Sequence, residues 1–356
     1  MSSVPCAQWT VNKGEPSMLQ ATMVEPGRIQ FDEVPRPEAG VDEVVIEVKA
    51  CGICGSDVHV WKGEHPFTSY PIIQGHEFSG VVDSVGTNVD SINPGAKVTI
   101  EPSLVCGTCH PCRHGRYNIC DNLKVMGFQA DGCHRNFFAV PQQKVVPLPP
   151  EISFEPGAMV EPAAVGVHAV KRSGLKAGGR VLVLGAGPIG ILTMQAAKGM
   201  GASEVMITDV VNFRLETARR VGADYTVNVA EEDLFDSIKG AFGRDGLDVV
   251  IECVGSEQAL ETAIQVARKG SRIVVVGVVG GRPRLSLGLL QDRELEMIGS
   301  LMYMREDFEL AIDLIRTGRI NPVQLITRRF EFEHLPEAYR EADERKGQNL
   351  KVMVIF

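Results

Sequence analysis

The stretch that most constrains this chain is Gly179–Asp209, GRVLVLGAGPIGILTMQAAKGMGASEVMITD. An apolar run of strand length meets a glycine turn, then a helix-length segment, then a second apolar strand ending in Asp209. That order is a βαβ unit, and its crossover forces the two strands to lie parallel. The alternation continues downstream. LETARRVGAD reads as helix, DVVIECVG (248–255) as strand, QALETAIQVARKG as helix and SRIVVVGVVG (271–280) as strand. Strands alternating with helices of this length predict an α/β fold with a doubly wound parallel sheet. Residues 17–160 differ in kind: EVVIEVKA (43–50), SGVVDSV (79–85) and KVTIEP (97–102) are short alternating runs broken by Gly, Pro and Asn, and they predict β-rich structure.

A lone GxGxxG is weak, but Gly185-Ala-Gly187-Pro188-Ile189-Gly190 follows a strand, opens a helix and precedes Asp209 by 19 residues. Gly185 permits the tight turn, Gly187 lets a pyrophosphate approach the backbone, and Gly190 permits close packing of helix on strand. The helix N-terminus supplies unpaired N–H groups and partial positive charge. A carboxylate at Asp209 can accept bonds from both ribose hydroxyls and repel a 2′-phosphate, which favours NAD over NADP. Arg214 is the counter-signal, since arginine accommodates that phosphate. A glycine-rich turn with no ligand is the alternative.

With 356 residues, about two domains are expected. The boundary falls near residues 155–170. Beyond about residue 300, DFELAIDLIRTGRI reads as an amphipathic helix and KVMVIF as a terminal strand; spacing leaves open which domain they join. A net charge of −9 argues against nucleic acid or an anionic membrane as partner. The start shows no signal-peptide pattern and no apolar run is long enough to span a bilayer. Nine cysteines in such a chain point to metal thiolates rather than a disulfide framework, in a reducing cytoplasmic setting.

Two groups of residues are zinc candidates. Cys54 in CGICGSDVH, with His76 and Glu77 in QGHEFSG, combines thiolate, imidazole and carboxylate, and three ligands leave one position open for water or substrate. Glu161 is a further acid before the boundary. Taken alone, an adjacent His-Glu pair reads as structural or exposed, and a free cysteine as buried packing; the case rests on finding all of them with a nicotinamide-type fold. The second group is Cys106, Cys109, Cys112 and Cys120 in CGTCHPCRHGRYNIC. Four thiolates converging on one tetrahedral ion close its coordination sphere, the mark of a structural site; a redox CxxC is the alternative. His110 and His114 read as exposed loop residues. Cys6, Cys51, Cys133 and Cys253 have no evident partner, and His168 and His334 read as packing.

Through GHEFSGVVDSVG, the four-cysteine segment, GAGPIG and CGICGSDVH, nearly the whole chain resembles the zinc-dependent medium-chain dehydrogenases. CGICGSDVHVW, the IEP of VTIEPS and MVEPAAVGVHAV resemble their polyol (sorbitol-type) branch. The resemblance implies a GroES-like catalytic domain at 1–163 that is completed by 301–356, with a Rossmann cofactor domain at 164–300 between them. It implies one catalytic zinc on Cys54, His76 and Glu77, with Glu161 at the fourth position bonding the metal or its water. It implies one structural zinc on the four cysteines, a proton relay through Ser56 and His59, and Asp57 orienting a ligand. Val276, Gly277 and Val278 match the segment along the nicotinamide.

The activity implied is hydride transfer from a secondary alcohol of a polyol (sorbitol-, xylitol- or arabinitol-like) to NAD, giving a ketose. The substrate-pocket arginine and tyrosine of the animal sorbitol enzymes align with Met302 and Val60, which removes hydrogen bonds a sugar alcohol would use. That points to the alternative, a vicinal-diol or other secondary-alcohol dehydrogenase of the butanediol or threonine type. A binding protein that lost catalysis predicts a broken zinc triad, yet the triad, Ser56, His59 and Glu161 are all present. A homotetramer, or a homodimer, is expected.

Overall fold

The computed structural model describes residues 17–244 and 246–356. Cys6 and the chain start, read above for a leader, lie outside the described residues.

A hairpin of β1 (Ser17–Glu25) and β2 (Arg28–Pro35) leads into β3 (Glu43–Ile53), the spine of the first sheet. Helix α1 (Gly55–Trp61) follows, then β4 (Glu77–Val85), β5 (Lys97–Ile100) and the two-residue strands β6 (Ser103–Leu104) and β7 (Lys124–Val125), with α2 (His110–Arg113) between the last two. Next come β8 (Phe137–Pro141), β9 (Val145–Pro147), α3 (Phe154–Ala158) and α4 (Val160–Ser173).

The repeating part contains β10 (Arg180–Leu184), α5 (Pro188–Gly199), β11 (Glu204–Asp209), α6 (Asn212–Arg220), β12 (Tyr225–Asn228), α7 (Leu234–Phe242), β13 (Val249–Glu252), α8 (Glu257–Val266), β14 (Arg272–Val275), α9 (Leu287–Asp292) and β15 (Glu296–Gly299). The chain ends with α10 (Arg305–Arg316), β16 (Ile326–Glu331), α11 (Leu335–Glu344) and β17 (Lys351–Ile355).

Strands β10–β15 form one all-parallel sheet in the order β12-β11-β10-β13-β14-β15. The order reverses between β10 and β13, which opens a crevice at the carboxyl ends of those strands. Their central strands are buried on both faces and read as near-continuous apolar runs, VLVL and VVI. The strand expected over 271–280 ends at Val275, so Val276–Val278 leave the sheet as a loop at that crevice.

The other large sheet runs β16-β17-β3-β4-β5-β9, with β8 also on β3. It recruits β16 and β17 from beyond residue 300: β17 pairs antiparallel with β3, setting Val352 opposite Ile53. Helix α4 joins the two sheets. Its side chains Val160, Ala163 and Val167 share one buried core with Ile191, Leu192 and Val183 of the parallel-sheet part. Gly166 lets it lie close on α5, because a Cβ there would stand 2.9 Å from the Thr193 backbone nitrogen. No helix among the described residues is long and apolar enough to cross a membrane.

Candidate active site

Cys54, His76 and Glu77 come from two sequence segments that the β3–β4 pairing brings side by side, with Gly52 opposite Glu77. Their ligand atoms all lie within 4.8 Å of one another. Cys54 is the N-cap of α1, and its backbone N–H donates to Asp57 Oδ2 at 2.8 Å. The same buried carboxylate faces the second ligand: Asp57 Oδ1 is 3.4 Å from His76 Nδ1, without aligned hydrogen-bond geometry, and 3.3 Å from Gln74 Nε2. One carboxylate thus caps the turn that carries Cys54 and sets a buried negative charge beside the His76 imidazole. Burial opposes the imidazolium, but Asp57 outweighs it and raises His76 well above its ordinary range.

Glu77 is 1% exposed and receives both short bonds of Lys351 Nζ, at 2.8 and 2.6 Å. Lys351 also donates to Ile53 O at 3.3 Å and is itself 3% exposed. A charge buried so deeply needs a partner, and Lys351 supplies it from the terminal strand. Burial lowers the lysine's pKa, yet Glu77 more than compensates and raises it. Glu161, in the first turn of α4, stands outside the three-residue group. Tyr303 donates to its Oε1 at 2.5 Å, and burial lifts its carboxyl to about 7 against the pull of His76. A half-buried thiol, a buried imidazole and a buried carboxylate side by side, with an acid held just beyond, suit a zinc ion with one open position.

On α1, Ser56 is half-buried and His59 exposed, three residues apart and so on one helix face. His59 Nδ1 lies 3.3 Å from Glu64 Oε2 at the surface. Phe128 packs on His76 with ring centres 4.8 Å apart and carries His65 stacked at 4.9 Å on it. Val60 is fully buried and Met302 half-buried.

At the crevice, Gly190 carries no Cβ because one would stand 1.8 Å from Gly185 O, inside the turn. A Cβ on Gly187, by contrast, would meet nothing within 4 Å, which leaves room for a ligand at the N-terminus of α5. Pro188 and Ile189 open that helix. Asp209 accepts from Ala186 N at 2.8 Å, Val210 N at 2.8 Å and Val211 N at 3.0 Å, which holds its carboxylate beside the glycine turn. The guanidinium of Arg214 turns to it, with Nη1 at 3.6 Å from Asp209 Oδ2 and Nη2 donating to Lys346 O at 2.6 Å. Val276 N and Gly277 N both donate to Glu252 O. Val210, Val254 and Val278 are exposed there, Val278 by 88%, so the rim offers bare apolar surface to a planar ligand. The crevice fits a dinucleotide.

The four cysteines of the lobe also converge, with all ligand atoms within 4.8 Å. Cys106 N and Asn122 N point at Cys120 Sγ (3.3 and 3.4 Å), and Cys109 N at Cys106 Sγ (3.4 Å). Backbone donors aimed at sulfur stabilise thiolates: those from Thr108 and Cys109 bring Cys106 down to about 5, whereas burial and the neighbouring sulfurs push Cys112 up to about 12. Sulfurs in that state fit a closed S4 metal site. The lobe leans on the segment before α10, where Asn118 donates to Leu301 O at 2.9 Å and Arg305 N donates to Tyr117 Oη at 2.6 Å. Cys106→Ser is expected to lower the melting temperature by about 5 °C or more, with the remaining folded protein still turning over. Thermal unfolding beside initial rates checks this; a full loss of rate with unchanged melting would contradict it.

Several residues escaped the sequence reading. His168 does not simply pack: its Nδ1 is 2.8 Å from the buried Asp307 and its Nε2 3.4 Å from Asn118. His334 is exposed rather than packed. Cys51 and Cys133, without evident partners in sequence, lie with sulfurs 3.4 Å apart and buried, His134 Nε2 being 3.7 Å from Cys51. Lys351 carried a readable signal, a lysine starting an otherwise apolar strand. Tyr303 carried none.

Residues 40–150 match the alcohol dehydrogenase GroES-like domain family and residues 188–317 the zinc-binding dehydrogenase family. The sorbitol dehydrogenase of Rattus norvegicus is 36% identical over 351 residues, 96% of each chain. A putative zinc-binding dehydrogenase from Sinorhizobium meliloti 1021, solved bound to NADP, superposes with a TM-score of 0.90 at 34% identity, covering 96% of this chain and 100% of that one. The 2R,3R-butanediol dehydrogenase of Bacillus subtilis gives a TM-score of 0.88 at 29% identity, with 96% and 100% covered.

Proposed function

The chain belongs to the zinc-dependent medium-chain dehydrogenase/reductase family, in its polyol dehydrogenase branch, and from that premise we propose which alcohol, which cofactor and which residues carry its oxidoreductase activity on CH–OH groups. The substrate is a polyol of sorbitol, xylitol or arabinitol type, oxidised at a secondary carbon to a ketose with NAD. Supporting this is the group of half-buried Cys54, at the N-cap of α1, with buried His76 and Glu77 at the start of β4, joined through α4 to the helix that opens the dinucleotide crevice. The reading takes 1–163 with 301–356 as one unit and 164–300 as the other, with one catalytic and one structural zinc in each subunit. It takes the protein as a cytoplasmic homotetramer or homodimer.

Cys54, His76 and Glu77 would hold zinc and the crevice would hold NAD, which together would supply Lewis-acid activation of a substrate hydroxyl and a hydride acceptor. The remaining work belongs to side chains. Asp57 holds the cap geometry of Cys54 and places its charge 3.4 Å from His76 Nδ1. Ser56, half-buried, takes the hydroxyl proton inward of the surface, and His59, exposed beside Glu64, releases it to solvent. Phe128 packs against His76 and carries His65 stacked on it, so two flat rings adjoin that ligand. Asp209 would accept from the ribose hydroxyls, and Val276–Val278 would line the nicotinamide half.

One observation favours a second substrate. Met302 and Val60, which align with the pocket arginine and tyrosine of the animal sorbitol enzymes, are apolar and offer no hydrogen bonds, so a shorter vicinal diol would lose fewer there than a hexitol. Initial rates on sorbitol, xylitol, arabinitol, 2,3-butanediol and threonine, each with NAD and NADP, separate the two. Turnover of pentitols or hexitols above the diol is expected; diol turnover alone replaces the first reading by the second. Asp209→Ala is expected to cut kcat/KM for NAD by about 10–100-fold, the loss of charge-assisted hydrogen bonds of about 1.5–3 kcal/mol. An unchanged NAD preference would remove Asp209 from the assignment.

A further inference from the structure

We propose that Tyr303 is a positioning residue that holds Glu161 back from the catalytic metal and so keeps the fourth coordination position open for the substrate hydroxyl. The proposal rests on reading Cys54, His76 and Glu77 as that metal's ligands. Three observations carry it. At this site the group with ligand atoms mutually within 4.8 Å is Cys54, His76 and Glu77; the Glu161 carboxylate stays outside it although it is buried and of the right chemistry. Its Oε1 is taken by the Tyr303 hydroxyl at 2.5 Å, across 142 residues of sequence.

Tyr303 in turn has little freedom to follow the carboxylate. It is 1% exposed, its ring meets Phe308 edge-on at 4.7 Å, and the preceding Met302 sits at φ 51°, a conformation side-chain-bearing residues rarely adopt. The segment is clamped on both sides, by Asn118 on Leu301 O and by the bond from Arg305 N to Tyr117. A buried carboxylate that loses such a donor needs a new partner; His76 and Lys351, the cationic groups that act on it, are engaged by Asp57 and Glu77, and a metal on Cys54, His76 and Glu77 would offer it one. Glu161 would then fill the position that substrate needs.

The test is Tyr303→Phe, which keeps the ring and removes the donor, examined in zinc-loaded and cobalt-substituted protein. KM for the alcohol is expected to rise about tenfold with kcat within about threefold, since closure of the fourth position competes with substrate before any chemistry. The visible cobalt bands are expected to shift without alcohol and to stop responding to it, and metal release to a chelator to slow. Adding Glu161→Ala to Tyr303→Phe should erase the cobalt shift. A fall in kcat at unchanged KM, an unchanged cobalt spectrum or faster metal release would each overturn the proposal, with circular dichroism showing that the variants are folded. If Cys54→Ser leaves the cobalt–thiolate absorption of the site untouched, the metal-site reading itself fails. The two failures are therefore distinct.

Discussion

Cys54→Ser is expected to lower kcat/KM for alcohol oxidation by at least about a thousandfold in a protein that remains folded. The reason lies in what the substitution removes and what it spares. It exchanges a soft thiolate for a hydroxyl that stays protonated at neutral pH, so the metal loses a ligand and its Lewis-acid contribution of several kcal/mol. Each tenfold in rate corresponds to about 1.4 kcal/mol, so a loss of about 4 kcal/mol gives the thousandfold. What it spares is the backbone: Cys54 caps α1 with its N–H donating to Asp57, a bond that serine retains. On the proposed reading of one catalytic and one structural zinc, metal content should fall from two per subunit to one, the four-cysteine group keeping its own. A variant with more than a tenth of the parent's rate would remove Cys54 from the catalytic group.

The second large effect concerns Lys351→Met. In the metal-free protein Lys351 is the counter-charge of Glu77, at 2.6 and 2.8 Å and with both groups almost fully buried. Removing one partner of such a pair costs about 3–5 kcal/mol, because the remaining carboxylate stays buried and unpaired. The metal-loaded protein should lose less, since a dication on Glu77 supplies the missing charge. By linkage, the difference between the two losses equals the gain in metal affinity. The expected result is a drop in melting temperature on the order of 5–10 °C in chelator-treated protein and a smaller drop with zinc. Equal drops with and without zinc would show that Lys351 and the metal do not share Glu77.

Much of the fold was legible because its signals are local. The turn at GAGPIG needs glycine where no Cβ fits, and the strands beside it are apolar on both faces, so a few residues report the parallel sheet. The four cysteines are legible for the same reason: fifteen residues of chain suffice to bring them together. Cys54, His76 and Glu77 were readable as residue types, while their convergence came from β3 pairing with β4. The strand over 271–280 was read too long, because its apolar run continues past the last ladder bond into the loop of Val276–Val278. His168 was misread as packing since its partner Asp307 is 139 residues away and leaves no local trace.

By itself, then, the sequence determined what backbone stereochemistry and short spacing control: the βαβ alternation, the phosphate-type glycine turn, the thiolate cluster and the inventory of ligands. The tertiary structure alone decided how the buried charges are met. Lys351 reaches Glu77 across 274 residues only because β17 adds to β3 in one register, and Tyr303 reaches Glu161 only because the segment before α10 is clamped against α4 and the cysteine lobe. A buried charge must find its partner in space, and nothing in the neighbouring residues says where that partner comes from.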